Sequence, residues 1–219
     1  MRIAIVGAGR IGGNVARRFA LAGHEVVLTF SREGARLGAL AEAIGPRATV
    51  ADTSDAVARS EVVVLAVPWD VIPAAIDAMG PLDGQIVVDT TNQFGRVETP
   101  PTGTTAAAWN ASRLPGGRYV KCFNTLTAAF QVDAAERTGD ARIVQWICGD
   151  DTDAKAVVAS LVEGAGYVPV DIGGTQGCAV MEAPRRPGAV YGEEYRAEDA
   201  PGVLTAMAEG RPIPPTPVH

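Results

Sequence analysis

A glycine-rich loop near the N-terminus is the segment with the clearest chemical potential. Residues 7–12 read Gly-Ala-Gly-Arg-Ile-Gly, so their three glycines have the spacing GxGxxG. In dinucleotide-binding loops the first glycine permits a tight turn, the second lets the backbone approach the pyrophosphate, and the third allows close helix–strand packing. We predict a pyrophosphate site formed by Gly7, Gly9, Arg10, Ile11 and Gly12. The alternative is a tight glycine turn that binds no ligand.

The residues at the end of the second predicted strand distinguish NAD from NADP. An Asp or Glu at this position holds the ribose 2′-hydroxyl of NAD and would repel a 2′-phosphate. This chain has Ser31 and Arg32 there instead. A hydroxyl and a guanidinium suit a phosphate dianion, the guanidinium through a charge-assisted pair. The sequence therefore predicts NADP(H), and the alternative is that Ser31 only caps a helix while Arg32 is a solvent-exposed residue.

Polar and aromatic residues follow three later predicted strands. Val67, Pro68 and Trp69 come after the fourth strand, Asn92 after the fifth and Asn124 after the sixth. Ligands of doubly wound sheets bind at the carboxyl ends of the strands. We therefore predict that the first three residues contact the nicotinamide, and that the Trp69 ring and the two Asn side chains line the pocket of a second substrate. The alternatives are a Trp that only packs at a helix start and Asn residues that only form turns.

The residues that this chain lacks restrict the chemistry further. It contains two histidines, His24 and His219, and neither is placed to act as a general acid or base. The three cysteines show no metal-ligand spacing, so we predict no metal site. Such a composition suits hydride transfer between two organic molecules, in which the protein binds and orients the reactants and excludes water. We assign no catalytic acid or base.

The elements that must position these residues alternate between strand and helix. Short apolar runs predict strands at 2–6, 25–30, 48–51, 61–67, 85–89, 118–123, 142–148 and 167–170. Helical periodicity and capping residues predict intervening helices, among them 33–44 and 152–163. This alternation predicts an α/β fold with a doubly wound, mostly parallel sheet of the Rossmann type over residues 1–172. Residues 173–219 are rich in Gly and Pro, and we expect them to form a short irregular extension with one helix near 201–209.

Composition excludes several classes of protein. With 219 residues, 47% hydrophobic and 20% charged, the chain can bury one full core and is not intrinsically disordered. A net charge of −6 with scattered basic residues argues against a nucleic-acid or membrane partner. No apolar run is long enough to span a bilayer. We therefore expect a cytoplasmic protein with a small-molecule substrate, in which Cys122, Cys148 and Cys178 are reduced thiols.

Four segments together resemble a known family. GAGRIGG at 7–13, Val67-Pro68-Trp69, VKCFNTL at 120–126 and CGDDTDAKAVV at 148–158 are similar to the NADPH-dependent reductases of the deazaflavin coenzyme F420. The last two segments also resemble the cytosolic oxidoreductase domain of the STEAP ferric reductases. The resemblance covers residues 1–172. It implies a Rossmann fold, a homodimer, and direct hydride transfer between NADP(H) and a deazaflavin or flavin ring.

The resemblance leaves the acceptor open. The family commonly has Gly-Ser-Arg after the second strand, whereas this chain has Thr29 and Phe30 before Ser31 and Arg32, with one extra residue. The chain also lacks the long apolar C-terminal helix of the deazaflavin reductases. Coenzyme F420 or a flavin is the expected second substrate. A reductase of another small organic acceptor, such as an imine or ketone, and a non-catalytic NADP(H)-binding protein are the alternatives.

Overall fold

The computed structural model describes residues 1–31, 33–94 and 98–217. The strands are β1 (Arg2–Val6), β2 (Glu25–Thr29), β3 (Ala48–Val50), β4 (Val62–Leu65), β5 (Ile86–Asp89), β6 (Arg118–Lys121), β7 (Val144–Ile147) and β8 (Val168–Asp171). The helices are α1 (Arg10–Leu21), α2 (Gly34–Ile44), α3 (Thr53–Ala58), α4 (Ile72–Met79), α5 (Ala106–Ser112), α6 (Ala128–Ala134), α7 (Thr152–Gly164) and α8 (Ala200–Ala208). Short 3-10 turns occur at Trp69–Val71, Gly139–Ala141, Thr175–Met181 and Ala197–Asp199.

The first six strands form one parallel sheet in the order β3-β2-β1-β4-β5-β6. This is the strand order of the doubly wound dinucleotide-binding fold, so the predicted fold class is confirmed. The order reverses between β1 and β4. Val6, the last residue of β1, pairs with Thr29 of β2 and with Leu65 of β4, so all three strands end at one edge. The predicted ligand site therefore lies at the edge where this fold binds ligands.

Alternating residues of the central strands supply two separate hydrophobic cores. Ile3 and Ile5 of β1 pack into the core that includes residues of α1 and α7. Ala4 and Val6 pack into the other core, which includes residues of α3, α4 and α8. Because successive side chains of a strand point to opposite faces, a strand covered on both faces must be apolar throughout. The continuous apolar run of β4, VVVL, is buried at every residue for this reason.

The structure differs from the sequence prediction after β6. β7 and β8 pair with each other in a two-stranded parallel sheet and do not extend the six-stranded one. A single antiparallel bridge between Lys121 and Cys148 connects the two sheets. Helix α6 was not predicted, because only seven residues form it and its apolar pattern is short. Its N-cap, Thr127, accepts a hydrogen bond from the backbone N–H of Phe130.

The C-terminal extension packs onto the sheet. Met181, Val190, Tyr195 and Val203 are buried in the core that also contains Val6. Helix α8 forms close to the predicted place. Residues on both sides of position 172 are buried in this core. The division of the chain into two parts at residue 172 stays a prediction.

Two of the three cysteines contradict the expectation of reduced thiols. Cys148, directly after β7, forms a disulfide with Cys178 in the Thr175–Met181 turn, and their Cα atoms are 6.0 Å apart. Sequence spacing could not show this pairing, because the fold brings together residues that are 30 positions apart. Cys122 is free and buried. In the described parts of the chain, no helix is both long and apolar enough to cross a membrane.

Candidate dinucleotide and acceptor site

The glycine loop after β1 has the geometry that a bound phosphate requires. Gly7 has φ +97°, and a Cβ there would lie 2.5 Å from the carbonyl oxygen of Ala66. A Cβ on Gly12 would lie 2.0 Å from the carbonyl oxygen of Gly7, so α1 packs against the loop closely. A Cβ on Gly9, by contrast, would meet no atom within 4 Å. The space at Gly9 is therefore open, as the approach of a ligand to the backbone requires.

The start of α1 leaves backbone donors free at this loop. Gly9 is the N-cap, and it provides no side chain to accept hydrogen bonds from the first turn. The first turn also contains no acidic residue. The first N–H groups of a helix have no partner within the helix, and the helix dipole favours an anion beside them. A pyrophosphate at this point would satisfy both requirements.

Two adjoining cavities open at this edge of the sheet. The first has a volume of about 190 Å³ and is lined by Gly7, Ala8, Gly9, Phe30, Ser31, Glu33, Arg36, Ala66, Val67, Pro68 and Val71. The second, about 830 Å³, is lined by Thr29, Phe30, Ser31, Gly34, Leu37, Val50, Ala51, Asp52, Thr53, Val71 and Ala74. They share three of these residues, Phe30, Ser31 and Val71. Together they form a continuous cleft across the ends of β1, β2 and β4, which we call the cofactor cleft.

Ser31, one of the two residues expected to select NADP, lines the cofactor cleft. The hydroxyl of Ser31 accepts a hydrogen bond from the backbone N–H of Glu33 at 3.1 Å. Arg32 lies outside the described residues. Arg36, which is exposed on the first turns of α2, also lines the cleft and was not predicted. Its position in the first turn of the predicted helix 33–44, four residues after Arg32, was the signal that could have identified it.

The three residues after β4 take different positions. Val67 and Pro68 line the cofactor cleft as predicted. The Trp69 indole does not, since it is 3% exposed and packs against Trp109 with 5.8 Å between the ring centroids. Its ring N–H donates a hydrogen bond to the carbonyl oxygen of Glu98 at 2.8 Å. The structure therefore places the Trp69 indole in the core and not among the residues that line the cofactor cleft.

The two predicted asparagines lie together at the ends of β5 and β6. The side-chain amide of Asn124 donates to Oδ1 of Asn92 at 3.0 Å, and the amide of Asn92 donates to the carbonyl oxygen of Asn124 at 2.8 Å. The Asn124 amide also donates to the carbonyl oxygen of Met181 at 2.5 Å. The backbone N–H of Ala183 donates to Oδ1 of Asn92 at 3.3 Å. The C-terminal extension therefore contacts both asparagines.

A buried polar network that sequence reasoning missed supports these loops. Asp89, at the end of β5, and Lys121, at the end of β6, are both 0% exposed, and Nζ of Lys121 lies 3.3 Å from Oδ2 of Asp89. Nζ also donates to the carbonyl oxygen of Thr91 at 2.8 Å. The Tyr119 hydroxyl and the Asn110 side-chain amide donate to the same carboxylate oxygen at 2.5 and 2.9 Å. The network fixes the loop that leads from β5 to Asn92.

Burial and charge act in opposite directions on Asp89. Desolvation alone would raise the pKa of Asp89, but the Lys121 ammonium and the hydrogen bonds from Tyr119, Asn110 and the Thr91 backbone lower it below its ordinary value. Burial, followed by the charge of Asp89 and its hydrogen bond, raises the pKa of Tyr119 well above its ordinary value. Asp89 is therefore ionised and Tyr119 remains a hydrogen-bond donor at neutral pH. In the sequence, the opposite charges of Asp89 and Lys121 at the ends of two apolar strands could have indicated this ion pair.

A comparison with families of known proteins matches the N-terminal part of the chain. Residues 2–93 match the family described as NADP oxidoreductase, coenzyme F420-dependent. The rat metalloreductase STEAP3 is 29% identical over 182 residues, which are 83% of this chain and 36% of that protein. The chain thus spans about a third of the length of the curated relatives that it matches.

Two solved structures match nearly the whole chain. A hypothetical protein from Sinorhizobium meliloti is 30% identical, with a TM-score of 0.77, and the match covers 90% of this chain and 95% of that one. An Arthrobacter protein, to which an F420-dependent NADP reductase function is provisionally assigned, is 24% identical with a TM-score of 0.71. This second match covers 100% of this chain and 99% of the other. At that identity it shows a shared fold, and the C-terminal extension is part of it.

Proposed function

We propose that this chain transfers hydride between NADP(H) and a deazaflavin such as coenzyme F420, or a flavin, because its residues 2–93 match the family described as NADP oxidoreductase, coenzyme F420-dependent. When bound, the reduced nicotinamide supplies the hydride that the acceptor ring takes up. The protein binds and orients the two ring systems and excludes water from them.

The observation that carries the proposal is the uncapped start of α1 beside the open space at Gly9. Gly7, Gly9, Arg10, Ile11 and Gly12 would hold the pyrophosphate through backbone N–H groups and close approach. A ligand at this place has the cofactor cleft on both sides, with room for the adenosine half towards the end of β2. Ser31, Arg32 and Arg36 would hold the 2′-phosphate, and Val67 and Pro68 the nicotinamide half.

The chemistry of the lining residues favours a ring acceptor. The described residues that line the cofactor cleft include no His, Lys, Tyr or Cys. Its two carboxylates, Glu33 and Asp52, follow β2 and β3, on the side proposed for the adenosine half. Reduction of a ketone or imine normally requires a proton donor at the reacting atom, whereas a deazaflavin or flavin ring can accept hydride and exchange a proton with solvent. This supports a deazaflavin or flavin over an imine or ketone.

The protein assembly and its compartment belong to the same proposal. We propose a homodimer in the cytoplasm, as the family resemblance and the sequence predict. The Cys148–Cys178 disulfide is at odds with that compartment, since disulfides are rare in reducing cytosol. Titration of free thiols in freshly lysed cells would decide the compartment. One free thiol per chain would argue for an oxidising location.

The activity test is NADPH oxidation with three acceptors in parallel. We expect turnover with coenzyme F420 or with FMN or FAD, and none with a simple cyclic imine. Tight NADPH binding without turnover on any of these acceptors would instead support the non-catalytic alternative. Turnover with the imine alone would support the other reductase alternative.

The cofactor test is the variant Arg36→Ala. Loss of one charge-assisted hydrogen bond should raise the Kd for NADPH about tenfold and leave the Kd for NADH unchanged. Arg59→Ala is a matched control, because Arg59 is also exposed but lies at the end of α3. An unchanged preference for NADPH over NADH in Arg36→Ala would remove Arg36 from the 2′-phosphate site.

A further inference from the structure

A second groove starts at the glycine loop and runs along the outer surface of α1. It has a volume of about 590 Å³ and is lined by Ala8, Gly9, Arg10, Gly13, Asn14, Arg17, Arg36, Ala39, Leu40, Ala43, Ala128 and Ala129. Helix α1 forms its floor, and residues of α2 and α6 form its walls. It shares Ala8, Gly9 and Arg36 with the cofactor cleft. We call it the α1 groove. Its end at Ala8 and Gly9 lies beside the predicted pyrophosphate site.

The α1 groove is basic on a chain whose net charge is −6. Arg10, Arg17 and Arg36 line it, and its described lining contains no Asp or Glu. Among the residues that the structure describes, none provides a side-chain partner for these three guanidinium groups. Some other exposed arginines of this chain form ion pairs, such as Arg185 with Glu193 and Arg211 with Glu209. Three unpaired guanidinium groups around one groove favour an anionic ligand.

The shape of the α1 groove suits a chain-like ligand. Arg10 and Arg17 are seven residues apart on α1, which corresponds to about 10 Å along the helix axis. Small side chains of α2 and α6, such as Ala39 and Ala129, leave the space between them open. A further cavity of about 370 Å³, lined by Arg17 and Arg47 among others, continues towards the other end of α1. Positive charge is therefore distributed along a line.

The position of Arg17 separates the α1 groove from the cofactor cleft. Arg10 and Arg36 lie near the glycine loop, where their guanidinium groups would pair with phosphates of NADP(H). Arg17 lines the α1 groove but not the cofactor cleft, and it is two helical turns beyond the pyrophosphate site. The proposed cofactor site therefore provides no partner for it.

We infer that the α1 groove binds the anionic tail of the hydride acceptor, a flexible chain of phosphate and carboxylate groups attached to the acceptor ring. This inference rests on the proposed function and narrows its acceptor to a deazaflavin with such a tail. Coenzyme F420 has this chemistry, because a phosphodiester and glutamate residues follow its ribityl chain. FMN ends in a single phosphate and would leave Arg17 without a partner.

The experiment compares acceptors with and without the tail. With the protein saturated by NADP⁺, the Kd of coenzyme F420 and of the tail-less deazaflavin nucleoside is measured from quenching of deazaflavin fluorescence. We expect coenzyme F420 to bind about tenfold more tightly, and Arg17→Ala to remove most of this difference without changing the Kd of the nucleoside. Added salt should weaken only the binding of coenzyme F420.

Arg59→Ala controls for the change in net charge, because Arg59 is exposed and does not line the groove. Equal affinity of the wild-type protein for the two deazaflavins, or an equal loss of F420 affinity in both variants, would overturn the inference. So would the failure of coenzyme F420 to bind. NADPH oxidation with the tail-less nucleoside tests the proposed function separately, since this acceptor needs no tail site. Because Arg17 is exposed, thermal melting should show that the variant folds normally.

Discussion

The ends of β1 and β5 lie at the same edge of the sheet with only β4 between them, yet they are built in opposite ways. The β1 end is made of backbone: glycines, an uncapped helix start and a cleft open to solvent. The β5 end is made of side chains: a fully buried ion pair, a tyrosine hydroxyl and two interlocked asparagines. One end leaves its hydrogen-bonding groups free, and the other pairs its charged groups within the protein.

This difference suggests that the β1 end binds the cofactor and the β5 end holds the neighbouring loops in position. Free N–H groups at a helix start lose little while they face water, so the β1 end can remain unoccupied until a phosphate arrives. A buried charge without a partner costs several kcal/mol, so the β5 end must be satisfied within the protein itself. We therefore expect changes at the β1 end to alter cofactor affinity and changes at the β5 end to alter stability.

The largest expected effect is that of Lys121→Met. The substitution leaves Asp89 buried without its cation, and breaking such a pair typically costs about 3–5 kcal/mol in the free energy of unfolding. Equilibrium unfolding in denaturant at neutral pH measures this loss. The double variant with Asp89→Asn should recover part of it, because no unpaired charge is then buried.

The pH dependence of that loss tests its cause. In the wild-type protein the pKa of Asp89 is lowered on folding, so its stabilisation is present above the ordinary pKa of an aspartate and is lost as pH falls through the folded value. In Lys121→Met, burial without the cation should raise the folded pKa instead, so the protonated form is favoured. The stability difference between the two proteins should therefore begin to shrink as pH falls through the raised folded pKa of the variant, above the ordinary aspartate value of about 4, and should shrink further through the lowered folded pKa of the wild-type protein. A difference independent of pH would mean that lost packing, and not charge, is responsible.

The next effect concerns the disulfide that holds the extension over the β5 end. Cys178 lies in the turn that ends at Met181, whose carbonyl oxygen accepts the hydrogen bond from Asn124. The double variant Cys148→Ala, Cys178→Ala should lower the free energy of unfolding by about 2–4 kcal/mol. The KM for the acceptor should rise, while the Kd for NADPH stays unchanged.

Cys122→Ala provides the matched control, because Cys122 is equally buried but forms no disulfide. It measures the cost of removing one buried thiol from the core. If the double variant loses no more than twice that cost, the cross-link adds nothing to stability. If its NADPH affinity also falls, the two ends of the site are not independent.

The same contrast explains what the sequence could predict. The glycine loop depends on residues within one βα unit, so GxGxxG revealed both its turn and its close helix packing. The asparagines could be expected at the strand ends, because each follows a recognisable apolar run. Their mutual hydrogen bonds could not be expected, since they depend on how β5 and β6 pair and on Met181, which is 57 residues further along the chain than Asn124.

Three features of the structure were not predicted from the sequence, and each of them depends on tertiary packing. The Trp69 indole turns into the core because Trp109 and the Glu98 backbone complete its surroundings. The Asp89–Lys121 pair forms only when the register sets the two residues opposite each other. The disulfide requires the extension to fold back onto β7. In each case the partner lies far away in sequence, where neither periodicity nor a local motif can indicate it.

Gly9→Ala has the smallest expected effect on stability, and it tests the β1 end most directly. The structure leaves the position of the new methyl group empty, and the φ of Gly9, −73°, is one that alanine adopts readily. The free energy of unfolding should therefore stay unchanged, unlike the losses expected at the β5 end. The methyl group should nevertheless keep the pyrophosphate from the backbone and raise the Kd for NADPH about 10–100-fold, which is about 1.4–2.7 kcal/mol. Gly13→Ala is the control, because its Cβ would meet only the Leu40 side chain at an ordinary 3.5 Å and does not face the cleft. If Gly9→Ala binds NADPH as the wild-type protein does, the open space at Gly9 is not the phosphate site. The β1 end would then not be the cofactor-binding end of the sheet.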